Sequence, residues 1–300
     1  MQRDFRKEVR GLIDGKVLFD APMRRYTSMK VGGPADVLIY PGDTDELRRV
    51  VLHAKRKRIP LFVLGNGTNL VVGDGGIRGW VLSLTRGLKK MDLEGDGVDA
   101  EAGVPLRRLI QFSARRGLAG LETFSGIPGT VGGALAMNAG AWGTEIKDVV
   151  RSVSFLNDKG DVVERSGSRL KFSYRRLDFP ASWIILKGRF QLRKAPKKEI
   201  LERIKACFEK RRRKHPLHYP SAGSIFKNPK EGPAGKWIEE AGLKGARRGQ
   251  AMVSDRHANF IVNLGKATAA EVIGLMERVE REVYDEKGIS LEREVRVIGE

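Results

Sequence analysis

Glycine dominates one stretch of this 300-residue chain, residues 125–143, which reads SGIPGTVGGALAMNAGAWG. Glycine loses more conformational freedom on folding than any other residue, so a segment this rich in it is costly to order. A segment with only a structural task would gain little from that cost. Close approach of the main chain to a flat or phosphorylated ligand explains the composition better. The stretch therefore predicts a ligand-binding loop.

A second glycine-rich loop, Gly65–Leu70, directly follows a short apolar strand predicted at residues 61–64. Its glycines allow a tight turn that brings backbone N–H groups within reach of phosphate oxygens, and Thr68 and Asn69 add side-chain donors. A plain turn between two strands explains the loop about as well. It is not the dinucleotide fingerprint, because no helix follows the glycines and the acidic partner is not placed. The two tracts together suggest one extended cofactor between two lobes.

The composition is that of a globular protein, with 41% hydrophobic residues. The start of the chain, MQRDF, runs into alternating charge rather than an apolar leader. No stretch approaches the roughly 20 apolar residues of a membrane helix. A single cysteine, Cys207, can form neither an internal disulfide nor a thiolate metal site. We therefore expect a cytoplasmic protein without a metal and without membrane insertion.

The net charge of +19 points to an anionic partner: nucleic acid, an acidic membrane surface or a small molecule. The densest cluster, residues 210–214, closes a predicted helix, where cations are favourable against the helix dipole. The other basic residues are scattered, and no nucleic-acid-binding motif accompanies them. A diphosphate-bearing ligand uses only part of this charge. A basic nucleic-acid-binding protein remains the alternative from a different class.

Blocks of predicted strands and helices favour an α+β fold. Apolar residues at helical spacing, bounded by proline and glycine, predict helices at 44–57, 105–116, 196–214, 234–241 and 268–287. Short apolar runs predict strands at 35–40, 61–64, 80–84, 93–102, 150–156, 184–192, 260–262 and 292–298. The charged, proline-containing stretch at 194–198 predicts the main domain boundary.

Several motifs resemble, in the right order, those of the UDP-N-acetylenolpyruvoylglucosamine reductases. The stretch YTSMKVGGPA at residues 26–35, with the two glycine tracts, resembles the FAD-binding part of that family. Tyr174-Arg175, the stretch AGSIFKNP at 222–229 and the stretch LEREVR at 291–296 resemble its three catalytic motifs. The second of these is highly specific, and the resemblance covers nearly the whole chain.

The resemblance implies a two-lobed FAD-binding domain of the vanillyl-alcohol-oxidase (PCMH-like) type and a smaller α+β substrate-binding domain. We expect the lobes at residues 1–85 and 86–195 and the substrate domain at 196–300. The family's longer subgroup inserts a loop whose tyrosine closes over the substrate. Between Arg176 and Ser224 the only tyrosine is Tyr219. The chain therefore resembles the shorter subgroup, in which Tyr174 is expected to help cover the nucleotide.

The activity implied by the resemblance is NADPH-dependent reduction of UDP-N-acetylglucosamine enolpyruvate to UDP-N-acetylmuramate through bound FAD, in peptidoglycan precursor synthesis. Hydride addition to the methylene carbon of the enolpyruvyl ether places negative charge on the α-carbon and the carboxylate. By resemblance, Arg175 holds that carboxylate, Ser224 donates a proton to the α-carbon, and Glu294 positions or relays the proton. Read without the family, Ser224 is a turn residue and Glu294 a solvent-facing carboxylate.

The remaining expected contacts are also carried over from the family. FAD contacts are expected from Gly65, Asn66, Gly67, Thr68, Asn69, Leu70, Ser125, Gly126, Ile127, Pro128, Thr130, Gly132, Gly133, Asn138 and Gly140. Substrate contacts are expected from Tyr174, Lys227, Asn228, His257 and Arg296.

Four further expectations concern histidines, cofactor attachment, assembly and the nearest alternative function. His257 is about as well explained as a loop histidine, and His53, His215 and His218 are expected at the surface. Covalent members of the wider fold often attach FAD through a histidine beside the phosphate loop. Residues 65–72 contain no histidine, so the resemblance implies non-covalent FAD. The protein is expected to be a monomer acting on a UDP-linked small molecule. The nearest alternative is an oxidase or dehydrogenase of the same FAD fold, which has no reason to combine Ser224, Lys227 and Asn228 with Glu294.

Overall fold

A computed structural model describes the backbone of residues 2–300 and the side chains of residues 5–300. The helices are α1 (Gln2–Arg10), α2 (Thr44–Lys57), α3 (Leu106–Arg115), α4 (Val131–Ala136), α5 (Lys197–Lys214), α6 (Ala234–Glu240) and α7 (Ala269–Lys287). The strands are β1 (Lys16–Pro22), β2 (Pro34–Tyr40), β3 (Leu61–Leu64), β4 (Leu70–Val72), β5 (Ile77–Ser83), β6 (Met91–Glu94), β7 (Gly97–Glu101), β8 (Leu118–Ala119), β9 (Gly140–Ala141), β10 (Thr144–Glu145), β11 (Val150–Leu156), β12 (Val162–Ser166), β13 (Lys171–Ser173), β14 (Arg176–Asp178), β15 (Ile184–Gln191), β16 (Arg193–Lys194), β17 (Arg247–Arg248), β18 (Ala251–Val253), β19 (Ile261–Asn263) and β20 (Arg296–Ile298). Among these described residues, no helix combines the length and the apolar character needed to cross a membrane.

The predicted helices are confirmed, with ends set by local chemistry. The α2 helix begins where the side chain of Asp43 accepts a hydrogen bond from the N–H of Glu46, and it ends at Arg58 in the left-handed conformation. The α3 helix is followed by Gly117, whose φ is +69°. The last turn of α5 carries the predicted run of basic residues, which is favourable against the helix dipole.

Two strand predictions are wrong in extent. The single strand predicted at residues 93–102 is an antiparallel hairpin of β6 and β7 that turns at Gly95, whose φ is +62°. Of the strand predicted at 292–298, only β20 is regular. Arg293, which precedes β20, forms an isolated bridge with Phe226 instead. The helix α4 and the strands between residues 162 and 178 were not predicted, since they are short and lack a clear apolar period.

The chain divides into two compact units, each made from several segments of sequence. Unit 1 consists of Met1–Phe19, Val37–Asn66 and Gly79–Lys210. It contains the antiparallel sheet β12–β11–β15–β7–β6 and most of the sheet β1–β2–β5–β3, in which β3 and β5 are parallel. Its core includes the fully buried side chains of Leu47, Trp80, Phe124, Phe155 and Phe190.

Unit 2 consists of Asp20–Asp36, Gly67–Arg78 and Arg211–Glu300. It contains the sheet β17–β18–β19, the helices α6 and α7, and the parallel pair of β4 with β20. Its core includes Ile225, Phe226, Val253, Val272 and Met276, all nearly inaccessible to solvent. The expected division at 1–85, 86–195 and 196–300 stays a prediction beside these two units.

The N-terminus of α7 predicts a measurable stability effect at Asp74. The carboxylate of Asp74 accepts hydrogen bonds from the N–H groups of Ala269 and Ala270, each at 2.9 Å. Replacing Asp74 with alanine leaves these two donors without that partner and should lower the free energy of unfolding by about 1–2 kcal/mol. Denaturant titration measures the change. Asp285→Ala is the charge-matched control on the exposed last turn of α7, and an equal loss there would contradict the capping role.

Candidate functional site

Gly65 and Thr130, both expected to bind FAD, lie together in unit 1. A Cβ atom added to Gly65 would lie 2.8 Å from the hydroxyl oxygen of Thr130, so a side chain at position 65 would push that threonine aside. Thr130 in turn caps α4, where its hydroxyl accepts the N–H of Gly133 at 3.3 Å. The strand β3 positions Gly65 at its end, and Asn66 follows with an exposed side chain.

The glycines of the 125–143 tract occupy their positions for different structural reasons. Gly126 has a φ of +79°, which only glycine adopts readily, and it forms the turn before α4 with Ser125, Ile127 and Pro128. Gly132 packs against Ala102, since an added Cβ would lie 2.8 Å from the Cβ of Ala102. At Gly133 the added Cβ would meet only the Thr130 hydroxyl, at 3.5 Å, and the residue is exposed. Protein packing does not require a glycine at 133, so space there for a ligand such as the expected FAD fits the observation.

Asn138 has a different environment from that of an exposed ligand contact. It is fully buried with a φ of +40°. Its amide nitrogen donates to the carbonyl of Ser173 at 3.0 Å and to the carboxylate of Glu145 at 3.1 Å, and its amide oxygen accepts the N–H of Lys147. These contacts make Asn138 a support for the hairpin formed by β13 and β14. Direct contact between Asn138 and FAD stays a prediction.

That hairpin carries Tyr174 and Arg175 at its tip. The strands β13 and β14 pair with Ser173 opposite Arg176, which leaves Tyr174 and Arg175 as a two-residue turn. Arg175 has a φ of +59°, an unusual conformation for a residue with a long side chain. Its guanidinium lies 4.9 Å from the ring centre of Tyr174, and one of its nitrogens would lie 3.0 Å from a Cβ at Gly140. Gly140 therefore leaves room for the arginine that is expected to hold the carboxylate.

In unit 2 the glycine loop is attached to the C-terminal motif. The side-chain amide of Asn69 donates to the carbonyl of Glu294 at 3.0 Å, and the N–H of Arg296 donates to the carbonyl of Asn69 at 3.1 Å. Leu70 then begins the parallel pairing with Arg296. Expected FAD-binding residues and the expected catalytic residue Glu294 are thus neighbours in the structure.

The same loop is closed on its other side by Ser28, a residue that sequence reasoning gave no role of its own. The carbonyl of Gly67 accepts the N–H of Ser28 at 3.0 Å, and the hydroxyl of Ser28 donates to the carbonyl of Ser221 at 2.6 Å. Gly67 has a φ of +61°, and a Cβ there would lie 2.1 Å from the carbonyl oxygen of Tyr26. Thr68 is half-buried within the loop. Packing within the protein is therefore enough to require a glycine at position 67.

Ser224 lies next to the segment that carries Glu294. The carbonyl of Ile225 accepts the N–H of Glu294 at 2.8 Å, and the N–H of Lys227 donates to the carbonyl of Glu292 at 2.8 Å. Gly223, just before the serine, has a φ of +80° and open space where a side chain would start. The structure therefore brings the Ser224 and Glu294 motifs together by backbone hydrogen bonds, which the sequence motifs did not reveal.

Lys227 and Asn228 both have protein partners. The ammonium of Lys227 forms an ion pair with Glu292. The side-chain oxygen of Asn228 accepts the N–H of Ala234 at 3.0 Å, at the start of α6. Asn228 is exposed, and its side chain caps the N-terminus of α6 independently of any contact with a substrate.

The histidine predictions are partly wrong. His53 is only 7% exposed and stacks on Trp80 with ring centres 5.7 Å apart. His215 is half-buried rather than superficial and packs on Phe260 and His257, with ring centres 4.9 and 5.3 Å away. His257 accepts the N–H of Asn259 at its Nδ1 atom. Helical spacing did not reveal these contacts because they join distant parts of the chain.

The histidine pair predicts a loss of stability in mild acid. Burial lowers the pKa of His215 to about 4, helped by the charge of Arg211, and burial also lowers the pKa of His257. The unfolded chain therefore binds more protons below its histidine pKa of about 6.5 than the folded protein does. Stability should fall as the pH drops from about 6.5 to about 4. The contribution of His215 is at most about 3 kcal/mol and is reduced by solvent screening, because the ring is partly exposed.

Denaturant titration across this pH range measures the effect in the wild type and in His215→Phe, which should show a shallower dependence. An equal change in His218→Phe, which replaces an exposed imidazole, would contradict the assignment to the buried ring.

Two family models match the chain. A model described as an FAD binding domain matches residues 35–166, and a model described as the C-terminal domain of UDP-N-acetylenolpyruvoylglucosamine reductase matches residues 215–298. A relative named UDP-N-acetylenolpyruvoylglucosamine reductase, from Syntrophus aciditrophicus, is 47% identical over 98% of this chain and 96% of its own length. One of the same name from Geobacter metallireducens is 43% identical over 100% of both chains.

Solved structures support the same assignment. The crystal structure of UDP-N-acetylenolpyruvylglucosamine reductase from Thermus caldophilus has a TM-score of 0.82 and 38% identity, covering 96% of this chain and 100% of that chain. A structure of alkyldihydroxyacetonephosphate synthase, 16% identical with a TM-score of 0.50 over 65% of this chain, shows only the fold. The expected vanillyl-alcohol-oxidase-like fold is confirmed. The chain belongs to the UDP-N-acetylenolpyruvoylglucosamine reductases, a family of FAD-dependent oxidoreductases.

Proposed function

We propose that the protein reduces UDP-N-acetylglucosamine enolpyruvate to UDP-N-acetylmuramate, with NADPH as the donor and non-covalently held FAD, in peptidoglycan precursor synthesis. The observation that carries this proposal is the backbone pairing of the Ser224 motif with the Glu294 motif, through Ile225 and Glu294 at 2.8 Å. The names of the relatives support the substrate. The cytoplasmic location, the monomeric state and the three-part division of the chain belong to the same proposal.

The residues of this chain would bind, orient and protonate the substrate. FAD, when bound, supplies the hydride. Arg175 would hold the substrate carboxylate, because its planar guanidinium makes two parallel hydrogen bonds and offsets the charge that develops there. Ser224 would deliver a proton to the α-carbon. A hydroxyl is a weak acid, but a carbanion-like centre is a strong base, so a well-placed serine suffices.

The neighbouring residues would support these roles. Glu294 would position or relay the proton, and its backbone N–H is already bonded beside Ser224, to the carbonyl of Ile225. Tyr174, which is 44% exposed, would cover the nucleotide. Lys227 and Arg296 would bind the phosphates or other polar groups of the nucleotide. Asn228 and His257 would add contacts to the substrate.

FAD would be held by the two glycine tracts. In unit 1, Gly65 and Gly133 flank the side chain of Thr130, and the atoms nearest to a Cβ added at either position belong to that threonine. In unit 2, the backbone N–H groups of the 67–70 loop are donors of the kind that bind phosphate oxygens.

Gly133 should separate cofactor binding from folding. Gly133→Val places a side chain where the structure shows only the Thr130 hydroxyl, so the apoprotein should keep its stability while FAD occupancy falls sharply. Flavin absorbance per polypeptide and thermal unfolding of the apoprotein measure the two effects. Gly132→Ala is the matched control, since its Cβ would collide with Ala102 and should lower stability directly. Full flavin occupancy in Gly133→Val would show that this position does not face the cofactor.

Ser224→Ala tests the proposed chemistry. Only reoxidation of the flavin by the enolpyruvyl ether needs a proton delivered to carbon. In stopped-flow measurements, reduction by NADPH should stay close to the wild-type rate. Reoxidation by substrate should slow by roughly 10²–10⁴-fold, as is typical for loss of a positioned acid.

The control for this experiment is Ser290→Ala, an exposed serine outside all the motifs, which should change neither half-reaction. Equal slowing of both half-reactions in Ser224→Ala would place the damage in flavin binding and refute the proton-donor role. An enzyme that NADPH does not reduce would refute the proposed donor.

A further inference from the structure

We propose that Asn259 is the positioning residue for Ser224, with its side chain acting in place of a neighbouring β-strand. Asn259 is 3% exposed and lies between His257 and the strand β19. Its amide oxygen accepts the N–H of Phe226 at 2.9 Å, and its amide nitrogen donates to the carbonyl of the same residue at 2.8 Å. One side chain thus satisfies both backbone groups of Phe226, as a paired strand would. The inference rests on the proposed function of Ser224.

The contacts of Asn259 extend to the residue that directly follows the serine. The backbone carbonyl of Asn259 accepts the N–H of Ile225, the residue after Ser224, at 2.9 Å. On the opposite edge, the carbonyl of Ile225 and the N–H of Lys227 pair with the 292–294 segment. The stretch from Ile225 to Lys227 is therefore bonded on both edges, on one by Asn259 and on the other by the Glu294 motif.

The segment before Ser224 is fastened to the same part of the chain. Ser221 forms an antiparallel bridge with Val262, and the N–H of Asn263 donates to the carbonyl of Pro220 at 2.9 Å. Gly223 and Ser224 therefore form a short turn whose two flanks are both bonded to residues 259–263. The turn contains a glycine with a φ of +80°, which offers little resistance to movement by itself.

A proton donor must stay within a few tenths of an ångström of its productive position, since small misplacements cost large factors in rate. The buried N–H and carbonyl of Phe226 also have no water to replace a lost partner. Removing the Asn259 side chain should therefore both weaken the fold locally and let the Ser224 turn shift.

The test is a double-mutant cycle between Asn259→Ala and Ser224→Ala, measured on the FAD-loaded full chain by stopped flow. Asn259→Ala should slow flavin reoxidation by the enolpyruvyl ether about 10- to 100-fold. It should leave reduction by NADPH within about 2-fold of wild type, as expected of a residue that acts on proton delivery alone. In the Ser224→Ala background, Asn259→Ala should have no further effect on reoxidation, because the residue acts through a hydroxyl that is already gone.

Asn263→Ala is the matched control. Asn263 is a second buried asparagine, and its side-chain amide bonds the carbonyl of Met29 and the N–H groups of Gly265 and Ala267. The bond from its backbone N–H to the carbonyl of Pro220 does not involve the side chain. Asn263→Ala should lower the melting temperature comparably but leave the ratio of the two half-reactions unchanged. Should Asn259→Ala fail to fold, Asn259→Ser carries the same cycle, since its shorter, uncharged side chain cannot bond both backbone groups of Phe226 at once.

Three results would overturn the inference. The first is a double variant in which the slowing of reoxidation by Asn259→Ala multiplies the slowing by Ser224→Ala. The second is equal slowing of both half-reactions by the Asn259 variants. The third is failure of both variants to fold, which would show that Asn259 contributes to stability and not to the position of Ser224. If Ser224→Ala itself leaves reoxidation unchanged, the proton-donor role of Ser224 fails, and the role of Asn259 fails with it for that separate reason.

Discussion

Parallel pairing of the last strand with Leu70–Val72 is the interaction on which unit 2 depends. It sets Arg296 opposite Leu70, Val297 opposite Val71 and Ile298 opposite Val72, and so joins parts of the chain more than two hundred residues apart. The bond from the Asn69 amide to the carbonyl of Glu294 exists only in this register. A slip of one residue would turn every side chain of the strand to the opposite face, so the position of the C-terminal motif follows from this pairing.

Close backbone packing makes that pairing possible and by itself explains several glycines. A Cβ on Gly73 would lie 2.1 Å from the carbonyl oxygen of Glu300, and one on Gly75 would lie 2.8 Å from the Cβ of the same residue. The same holds for Gly33 against Asp74, at 2.0 Å. Gly133 differs, because nothing in the described protein prevents a side chain there. Composition alone cannot separate these two classes, since both appear as glycine in a turn-rich stretch.

Buried asparagines stand beside two of the residues expected to carry the chemistry. Asn138 bonds the carbonyl of Ser173, at the base of the hairpin that bears Arg175. Asn259 bonds both backbone groups of Phe226, two residues beyond Ser224. Arg175 itself has a positive φ, and Ser224 follows a glycine with one. The conformation of Arg175 is unfavourable for a residue with a Cβ and persists where surrounding contacts over-determine it, whereas glycine adopts a positive φ freely and leaves the serine turn to be fixed by its neighbours. A buried amide can both donate and accept for that purpose.

Motif order and helical period are local properties of the chain, so they were enough to predict the family, the mixed α+β class and the helices α2, α3 and α7. The sequence also placed the chemistry-bearing residues in recognisable stretches. Three features became visible only in the folded chain: residues 93–102 turn back at Gly95, His53 and His215 pack against aromatic rings, and Asn259 supports the serine motif. Each of these depends on a partner distant in sequence, whose hydrogen bonds and burial leave no periodic signal where the residue stands.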